Sequence, residues 1–316
     1  RQGANCMSGY KYLFGPVPSR RLGASLGVSP IPERTCNYSC VYCQLGRTLR
    51  MTNTRQEFFP LEEILAEFRE YLQGSIPFDV VTVVGEGEPT LYSRLGELIA
   101  GLKKETDKPV AVITNGALLY DAEMRRELME ADIVLPSLDA VTEEQYRKID
   151  RPMGSIGFAE MAEGLRQFAR EYQGQLWIEI MLVDGMNDSP EDIAAFKEFL
   201  GTIDYDRVYL NTPVRPPAEG FVHTSAPERI DLAARELGGI SIDQLTSGSF
   251  FSEVEDPYEA ILSIARRHPM NQFEVESFLE AREIPADQRQ ALMERLGQDP
   301  GITVVPYKGI ITYRVN

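Results

Sequence analysis

The segment Cys36-Asn37-Tyr38-Ser39-Cys40-Val41-Tyr42-Cys43 decides how the rest of this sequence is interpreted. It holds three of the four cysteines, separated by three and then by two residues, within a segment rich in glycine and proline. A loop of this length can bring three thiolates to one face of a metal centre. Thiolate-only ligation favours an iron–sulfur cluster or zinc over hard cations. Three protein ligands leave one coordination position open, which is typical of a chemically active centre.

The alternative interpretation of these residues is three unrelated buried or redox cysteines. The tight spacing and the lack of any cysteine after Cys43 disfavour it. The fourth cysteine, Cys6, cannot build a disulfide framework with the clustered three. The only histidines are His223 and His268, so a zinc site built from histidine is not expected.

The composition is that of an ordinary globular protein. The chain has 316 residues, of which 43% are hydrophobic and 25% charged, enough for one large and one small domain. No apolar run approaches the ~20 residues of a membrane helix, and no secretory leader opens the sequence, so the cytoplasm is the expected location. The net charge of −16 differs from the basic footprint of nucleic-acid-binding proteins, so nucleic acid is not favoured as a partner.

The pattern after the cysteines predicts an α/β fold with a parallel sheet. Runs of aliphatic and β-branched residues are typical of strands that are buried on both faces. The predicted strands are 22–29, 79–84, 109–114, 132–137, 176–183 and 207–211. Helical periodicity fills the intervals between most of them. Thr142 and Ser189 are predicted N-caps, the second followed by Pro190 at the first helical position. Such alternation implies right-handed β/α units.

The sequence changes character after residue 211. Prolines 213, 216, 217 and 227 indicate a linker or lid. Helices at 273–281 and 285–296, followed by strands at 302–305 and 310–315, outline a small winged-helix-like domain. The predicted organisation is an N-terminal extension (1–11), a β/α domain (12–215), a Pro-rich linker and lid (216–235) and a helical, winged-helix-like domain (236–316).

Polar residues and glycines follow the predicted strands. In parallel β/α folds, ligands bind at the C-terminal ends of the strands. These residues are Gly85, Glu86, Gly87 and Glu88 after the second strand, Asn115 after the third, Ser137 and Asp139 after the fourth, Met181 and Val183 in the fifth, and Asn211 in the sixth. Strand ends often carry such residues as turn formers. Their collection beside a three-cysteine loop nevertheless predicts a binding site.

These motifs resemble those of the radical S-adenosylmethionine (SAM) enzymes. The resemblance rests on the spacing of Cys36, Cys40 and Cys43, on the aromatic Tyr42, and on the glycine–glutamate motif 85–88. It covers residues 12–215. Within the family, the sequence is similar to a subgroup of iron–sulfur oxidoreductases that includes relatives of the archaeal wyosine-forming tRNA enzymes.

The resemblance implies a partial (β/α)6 barrel of the TIM type. The three cysteines would hold a [4Fe–4S] cluster, whose fourth iron chelates the amino and carboxylate groups of SAM. Reductive cleavage would give methionine and a 5′-deoxyadenosyl radical, which abstracts hydrogen from an unidentified substrate. An electron donor such as flavodoxin or ferredoxin is therefore an implied partner.

The resemblance also implies roles for the residues at the strand ends. Gly85 and Gly87 would let the backbone approach the methionine moiety closely, and Glu86 or Glu88 would pair with its ammonium group. The other expected SAM-binding residues are Tyr42, Met181 and Val183 around the adenine, Asn115, Ser137 and Asp139 at the ribose or methionine part, and Asn211 at the last strand.

The motifs do not specify the substrate. Arg20, Arg21 and Arg215 lie in Pro-rich segments that could border the barrel mouth, so an anionic substrate is a hypothesis. Without a cysteine after Cys43, a second Cys-ligated cluster in the C-terminal part is excluded. Two alternatives stay open. One is a tRNA base-modifying enzyme of the wyosine type, although Cys6 alone does not reproduce the extra N-terminal cysteines of those relatives. The other is a non-catalytic iron–sulfur module that binds a protein or peptide through its C-terminal domain.

Overall fold

The computed structural model describes residues 9–19, 21–74, 76–242, 250, 252, 254–307 and 310–316, and all structural statements refer to these. The strands are β1 (Leu13–Ser19), β2 (Gly23–Val28), β3 (Thr35–Cys36), β4 (Arg50–Met51), β5 (Val80–Val83), β6 (Val110–Thr114), β7 (Ile133–Pro136), β8 (Gln175–Met181), β9 (Arg207–Asn211), β10 (Ile240–Ser241), β11 (Met270–Asn271), β12 (Ile302–Tyr307) and β13 (Ile310–Val315). The α-helices are α1 (Leu61–Tyr71), α2 (Leu95–Glu105), α3 (Ala122–Leu128), α4 (Glu143–Ile149), α5 (Phe158–Glu171), α6 (Pro190–Leu200), α7 (Pro227–Leu237), α8 (Pro257–Ala265), α9 (Gln272–Ala281) and α10 (Ala286–Gln298).

A curled half-barrel sheet forms the centre of the molecule. Its strand order in the described chain is β1-β2-β5-β6-β7-β8-β9-β10. The strands from β2 to β10 are parallel to their neighbours, whereas β1 runs antiparallel to β2. The predicted α/β fold is confirmed, and the six predicted strands are β2 and β5–β9. The prediction lacked β1 and β10. Pro16 and Pro18 lie within β1, which is tolerated because β1 is an edge strand of the sheet.

The two faces of the sheet are both covered, which explains why its strands are almost continuously apolar. Val81 and Val83 of β5 belong to the core shared with the surrounding helices. Val80 points to the opposite, inner face, where it joins a smaller cluster with Leu135 and Trp177. This arrangement is typical of parallel sheets. No helix of the described ranges combines the length and apolar character that a membrane crossing requires.

The C-terminal segment, defined as residues 254–307 and 310–316, has a core of its own. Tyr258, Ile264, Phe278 and Tyr313 are among its buried residues. The strands β11, β13 and β12 form a separate antiparallel sheet in that order. The two predicted helices and the hairpin are confirmed as α9, α10, β12 and β13, and the prediction lacked α8 and β11.

Arginine side chains connect the C-terminal segment to the rest of the chain. Arg215, which follows β9, donates to both carboxylate oxygens of Glu274, at 2.8 and 3.0 Å. Arg267 Nη2 donates to the carbonyl of Lys11 at 2.7 Å. Arg314 Nη2 donates to a carbonyl of the Pro-rich segment at 2.6 Å. Bidentate and charge-assisted contacts of this kind fix orientation as well as proximity.

Gly164 of α5 lies where a side chain would collide with a neighbouring backbone. A Cβ atom there would lie 2.4 Å from Tyr120 N and 2.6 Å from Leu119 C. We expect Gly164→Ala to lower the free energy of unfolding by about 1–3 kcal/mol, the usual cost of overpacking. Gly297→Ala in α10 is the control. No atom lies within 4 Å of that Cβ position, so the variant should gain about 0.5–1 kcal/mol from helix propensity. Urea unfolding measures both, and equal stabilities would contradict this packing.

Candidate functional site

The three cysteines of the motif lie on a loop that is folded back by two tight turns. The Cys43 N–H donates to the Cys40 carbonyl at 3.1 Å, and the Gly46 N–H donates to the Cys43 carbonyl at 3.1 Å. Cys36, Cys40 and Cys43 are half-buried free thiols. Burial raises the pKa of all three. The protein alone therefore keeps these thiols neutral, and a bound metal centre would supply the positive charge that converts them to thiolates.

The donor set fits an iron–sulfur cluster by its chemistry. Among the described residues, no three His, Cys, Asp or Glu side chains are already gathered around one point. Three thiols without histidine also match the ligation that such clusters prefer.

Glu88 joins the ends of two strands to the base of the cysteine loop. Its carboxylate is 2% exposed and accepts hydrogen bonds from Thr90 N at 3.0 Å, Thr114 Oγ1 at 2.6 Å and Asn115 N at 2.8 Å. The Thr90 hydroxyl donates as well. The Glu88 N–H donates to the Thr35 carbonyl at 3.1 Å. Burial raises the pKa of Glu88, and these hydrogen bonds lower it in part. The carboxylate is thus committed to donors within the protein.

Asn115 extends this network to the first cysteine. Its side-chain amide donates to Asn37 Oδ1 at 2.7 Å and also to Cys36 Sγ at 3.6 Å. The backbone N–H of Tyr38 also donates to Cys36 Sγ, at 3.4 Å. Donors around a sulfur ligand stabilise its thiolate form and orient it.

A second network connects the last cysteine turn to strands β7 and β8. The Tyr42 hydroxyl donates to the Asp139 carboxylate, which also accepts from Met181 N at 2.7 Å. The Asn187 amide donates to the carbonyls of Asp139 and Met181, both at 2.8 Å, and its Oδ1 accepts from Val183 N at 2.8 Å. Burial raises the pKa of Asp139 to about 6. No role at the site was predicted for Asn187 from the sequence.

Asp150 is another buried group that the sequence analysis does not identify. The Cys40 thiol donates to Asp150 Oδ1 at 3.9 Å. Burial, and then the charge of Asp139, raise the pKa of Asp150 well above its usual value. Its carbonyl accepts from Ser39 N at 3.1 Å, so the end of α4 supports the cysteine loop. No local sequence pattern marks this residue.

Ser137 and Asn211 lie on the inner side of the sheet around Glu179 of β8. Ser137 forms a parallel β-bridge with Glu179. Asn211 Nδ2 donates to the Glu179 carboxylate at 3.5 Å. Arg21 forms an ion pair with the same carboxylate, and burial lowers the pKa of Arg21 to about 10. Arg20 lies outside the described residues. Arg21 is therefore already neutralised by a partner across the half-barrel.

The glycines of the 85–88 motif permit close contacts within the chain itself. A Cβ atom on Gly87 would lie 1.7 Å from the Thr35 carbonyl oxygen, and one on Gly85 would lie 2.8 Å from Ser29 Oγ. The first contact involves backbone that leads directly into Cys36. Glycine at position 87 is therefore required for the cysteine loop to pack on the end of β5.

Glu86 faces the C-terminal segment rather than the cysteines. Its Oε2 lies 3.6 Å from Arg267 Nε, and the Arg267 guanidinium lies 5.2 Å from the centre of the Phe14 ring. Burial raises the pKa of Glu86, and the charge of Arg267 opposes that rise. Arg215, the other predicted substrate residue, is likewise paired, in its case with Glu274.

The Pro-rich segment closes over the outer side of the cysteine loop. Glu219 accepts two hydrogen bonds from Arg47, both at 2.9 Å, and one from Arg151 at 2.6 Å. Its backbone N–H donates to Val41 between the second and third cysteines, at 3.1 Å. Val222 packs against Val41 in a small buried cluster. The two arginines lower the pKa of Glu219, so the carboxylate is ionised at neutral pH.

The sequence matches the Radical SAM superfamily over residues 31–197, more than half of its length, and the chain belongs to that superfamily. Its members use a [4Fe–4S] cluster and SAM as cofactors, as the sequence analysis expected. The chain also belongs with the UPF0026 proteins. It is 32% identical to UPF0026 protein MJ1312 of Methanocaldococcus jannaschii over 314 residues, covering 96% of this chain and 95% of that protein.

Two further similarities are partial. The chain is 43% identical over 205 residues to a protein named GTPase Obg from Brachyspira hyodysenteriae, covering 65% of this chain but only 30% of that protein. Among solved structures, a radical SAM methyltransferase from Sphaerobacter thermophilus superposes with a TM-score of 0.53 at 18% identity, covering 70% of this chain and 67% of that one. At this identity, the likeness shows the fold alone. The superfamily rests on the family match, and none of these similarities supports the wyosine-forming subgroup.

The buried hydrogen bonds of Glu88 give a stability prediction. Glu88→Gln replaces an oxygen acceptor by an amide that faces donors, so we expect the free energy of unfolding to fall by about 1–3 kcal/mol. The control is Glu62→Gln, since the Glu62 side chain is 74% exposed and surface changes usually stay within about 0.5 kcal/mol. Urea unfolding of the metal-free protein measures both. If the two variants were equally stable, Glu88 would not be the anchor described.

Glu219 gives a pH prediction. Because its folded-state pKa is lowered by Arg47 and Arg151, its stabilisation is present above the unfolded value of about 4.5 and is lost as pH falls through the folded value. We expect the wild type to be more stable than Glu219→Gln at neutral pH, and the difference to shrink as the solution is acidified below that range. Urea unfolding at several pH values tests this. A difference that is independent of pH would contradict the ionic clamp.

Proposed function

We propose that this protein is a radical SAM enzyme with a single [4Fe–4S] cluster bound by Cys36, Cys40 and Cys43. When bound, the cluster supplies one electron for reductive cleavage of SAM to methionine and a 5′-deoxyadenosyl radical, which abstracts hydrogen from the substrate. The observation that carries the proposal is the position of the three free thiols, on one loop held against the strand ends. Ligands of parallel β/α folds bind at this edge.

The residues around the thiols prepare the loop for this task. The donors from Tyr38 and Asn115 would stabilise the thiolate of Cys36. Glu88 and Asn187 hold the backbone from which the loop and the strand ends project. We assign these two residues a positioning role, because their polar atoms are already engaged within the protein.

The expected SAM-binding residues fall into three groups. Ser137, Met181 and Asn211 lie half-buried at the ends of their strands, where they could contact SAM directly. Asp139 would act mainly through Tyr42, because its carboxylate accepts a hydrogen bond from the Tyr42 hydroxyl. Gly85, Glu86, Gly87, Asn115 and Val183 are the other positions at which we expect contacts with SAM. An anionic substrate bound by Arg21 or Arg215 would first have to displace the carboxylate that each already contacts.

Closure of the site supports radical chemistry. A radical that attacks neighbouring groups requires a site from which water and other reactants are excluded. Glu219 and Val222 cover the loop from one side, and Arg267 of the C-terminal segment reaches Glu86 from another. The Pro-rich segment and the C-terminal segment therefore both contribute to the enclosure.

Partners follow from the same proposal. An electron donor such as flavodoxin or ferredoxin would supply the electron. We propose that the C-terminal segment is winged-helix-like, because its order is α8, β11, α9, α10 and the β12–β13 hairpin, and that it offers a surface to a protein or peptide. The net charge of −16 disfavours nucleic acid, and with it the wyosine-type alternative.

Anaerobic reconstitution with iron and sulfide tests the function directly. We expect the wild type to bind about four iron atoms per chain and to release 5′-deoxyadenosine when dithionite and SAM are added. A variant with alanine at positions 36, 40 and 43 should retain neither property, because the thiolate ligands are gone. Cys6→Ala is the matched control and should retain both.

Two outcomes would contradict the proposal. Stoichiometric zinc in a colourless wild-type protein would exclude the cluster. A fully loaded cluster without any 5′-deoxyadenosine would instead favour the non-catalytic iron–sulfur module.

A further inference from the structure

Two arginines from distant parts of the chain meet beside the third cysteine. Arg34 precedes the cysteine loop and has a backbone φ of 47°, and Arg314 lies on β13. A Cβ atom built on Gly46 would lie 3.5 Å from Arg314 Nη1 and 3.6 Å from Arg34 Nη1. The Gly46 N–H donates to the carbonyl of Cys43. Both guanidinium groups therefore lie next to the turn that carries Cys43.

The charges of this pair are only partly compensated. The Nε atoms of Arg34 and Arg314 are both buried without a hydrogen-bond acceptor in the described chain. Glu33 forms an ion pair with Arg34 Nε at 3.2 Å but no hydrogen bond, and its side chain is 48% exposed. Arg314 donates to the carbonyl of Pro216 at 2.6 Å, and none of the ion pairs in the described part of the chain includes it. Two adjacent cations with so little compensation are expected beside negative charge.

Glu33 is one carboxylate beside two guanidinium groups. Cys43, as a thiolate, would add a further negative charge next to the turn at Gly46. With three thiolates bound, the cluster of the proposed function is anionic, and each added electron makes it more so. Positive charge and hydrogen-bond donors near a cluster shift its reduction potential upward.

We infer that Arg34 and Arg314 stabilise the reduced form of the cluster, and that the C-terminal segment thereby promotes electron uptake by the cluster. The inference rests on the proposed function. The step concerned is transfer of one electron from the external donor, which is oxidised, to the cluster, which is reduced, without transfer of a proton. Arg314 acts here through the cluster's charge and is a positioning residue, as is Arg34.

The midpoint potential of the cluster tests the inference. The reconstituted full chain is titrated anaerobically in the absence of SAM, with the reduced cluster followed by electron paramagnetic resonance. We expect Arg314→Gln and Arg34→Gln each to disfavour the reduced form about tenfold, a shift of about 59 mV to lower potential for a one-electron couple. Arg314→Lys, which keeps the charge, should stay near the wild type. Arg289→Gln, which removes a C-terminal arginine paired with Glu276, is the control and should leave the potential unchanged.

The possible outcomes separate this inference from the proposed function. If the wild type holds no cluster, the proposed function fails. If it does, but Arg314→Gln has the wild-type potential, only the inference is overturned. Loss of iron from Arg314→Gln, with retention in Arg314→Lys, supports the charge role. Loss of iron from both folded variants overturns it, because a lost packing contact would then explain the result.

Discussion

The cysteine loop has little regular structure, and buried polar contacts impose its shape. The chain of hydrogen bonds from Glu88 through Asn115 to Asn37 and Cys36 is the contact on which the site most depends. Without these hydrogen bonds, the thiols would lie on a loop of little regular structure that the strand ends do not hold in place. A buried polar group lowers stability when it has no hydrogen-bond partner, whereas a fully paired network of such groups is rigid. The site is therefore positioned by the strand ends rather than by the loop.

Later parts of the chain pack over the cysteine loop at the strand ends. In the described chain, the sheet runs from β1 to β10. Glu219 clamps the Pro-rich segment onto the loop by charge. Arg267 and Arg314 then bring the C-terminal segment to Glu86 and to Cys43. Segments beyond the cysteine motif thus add charge to the site as well as cover.

Local sequence patterns predicted the strands and the cysteine site, because their signals lie within a few residues of each other. The buried strands follow from continuous aliphatic runs, and the site follows from the spacing of Cys36 to Cys43. Strand β1 escaped prediction because its prolines mask an edge strand. Asp150 and Arg314 escaped because each contacts the site across about a hundred or more residues of sequence, and no local pattern records such a contact.

If the loop holds a four-iron cluster with an open corner for SAM, as we propose, iron must lie against all three cysteines. An anaerobic crystal structure of the reconstituted protein with SAM, with anomalous diffraction recorded at the iron edge, would show it. We expect a compact group of iron peaks bonded to Cys36, Cys40 and Cys43, with SAM on the iron that lacks a cysteine. A single tetrahedral ion, or a cluster whose fourth iron is bound by a protein side chain, would contradict it.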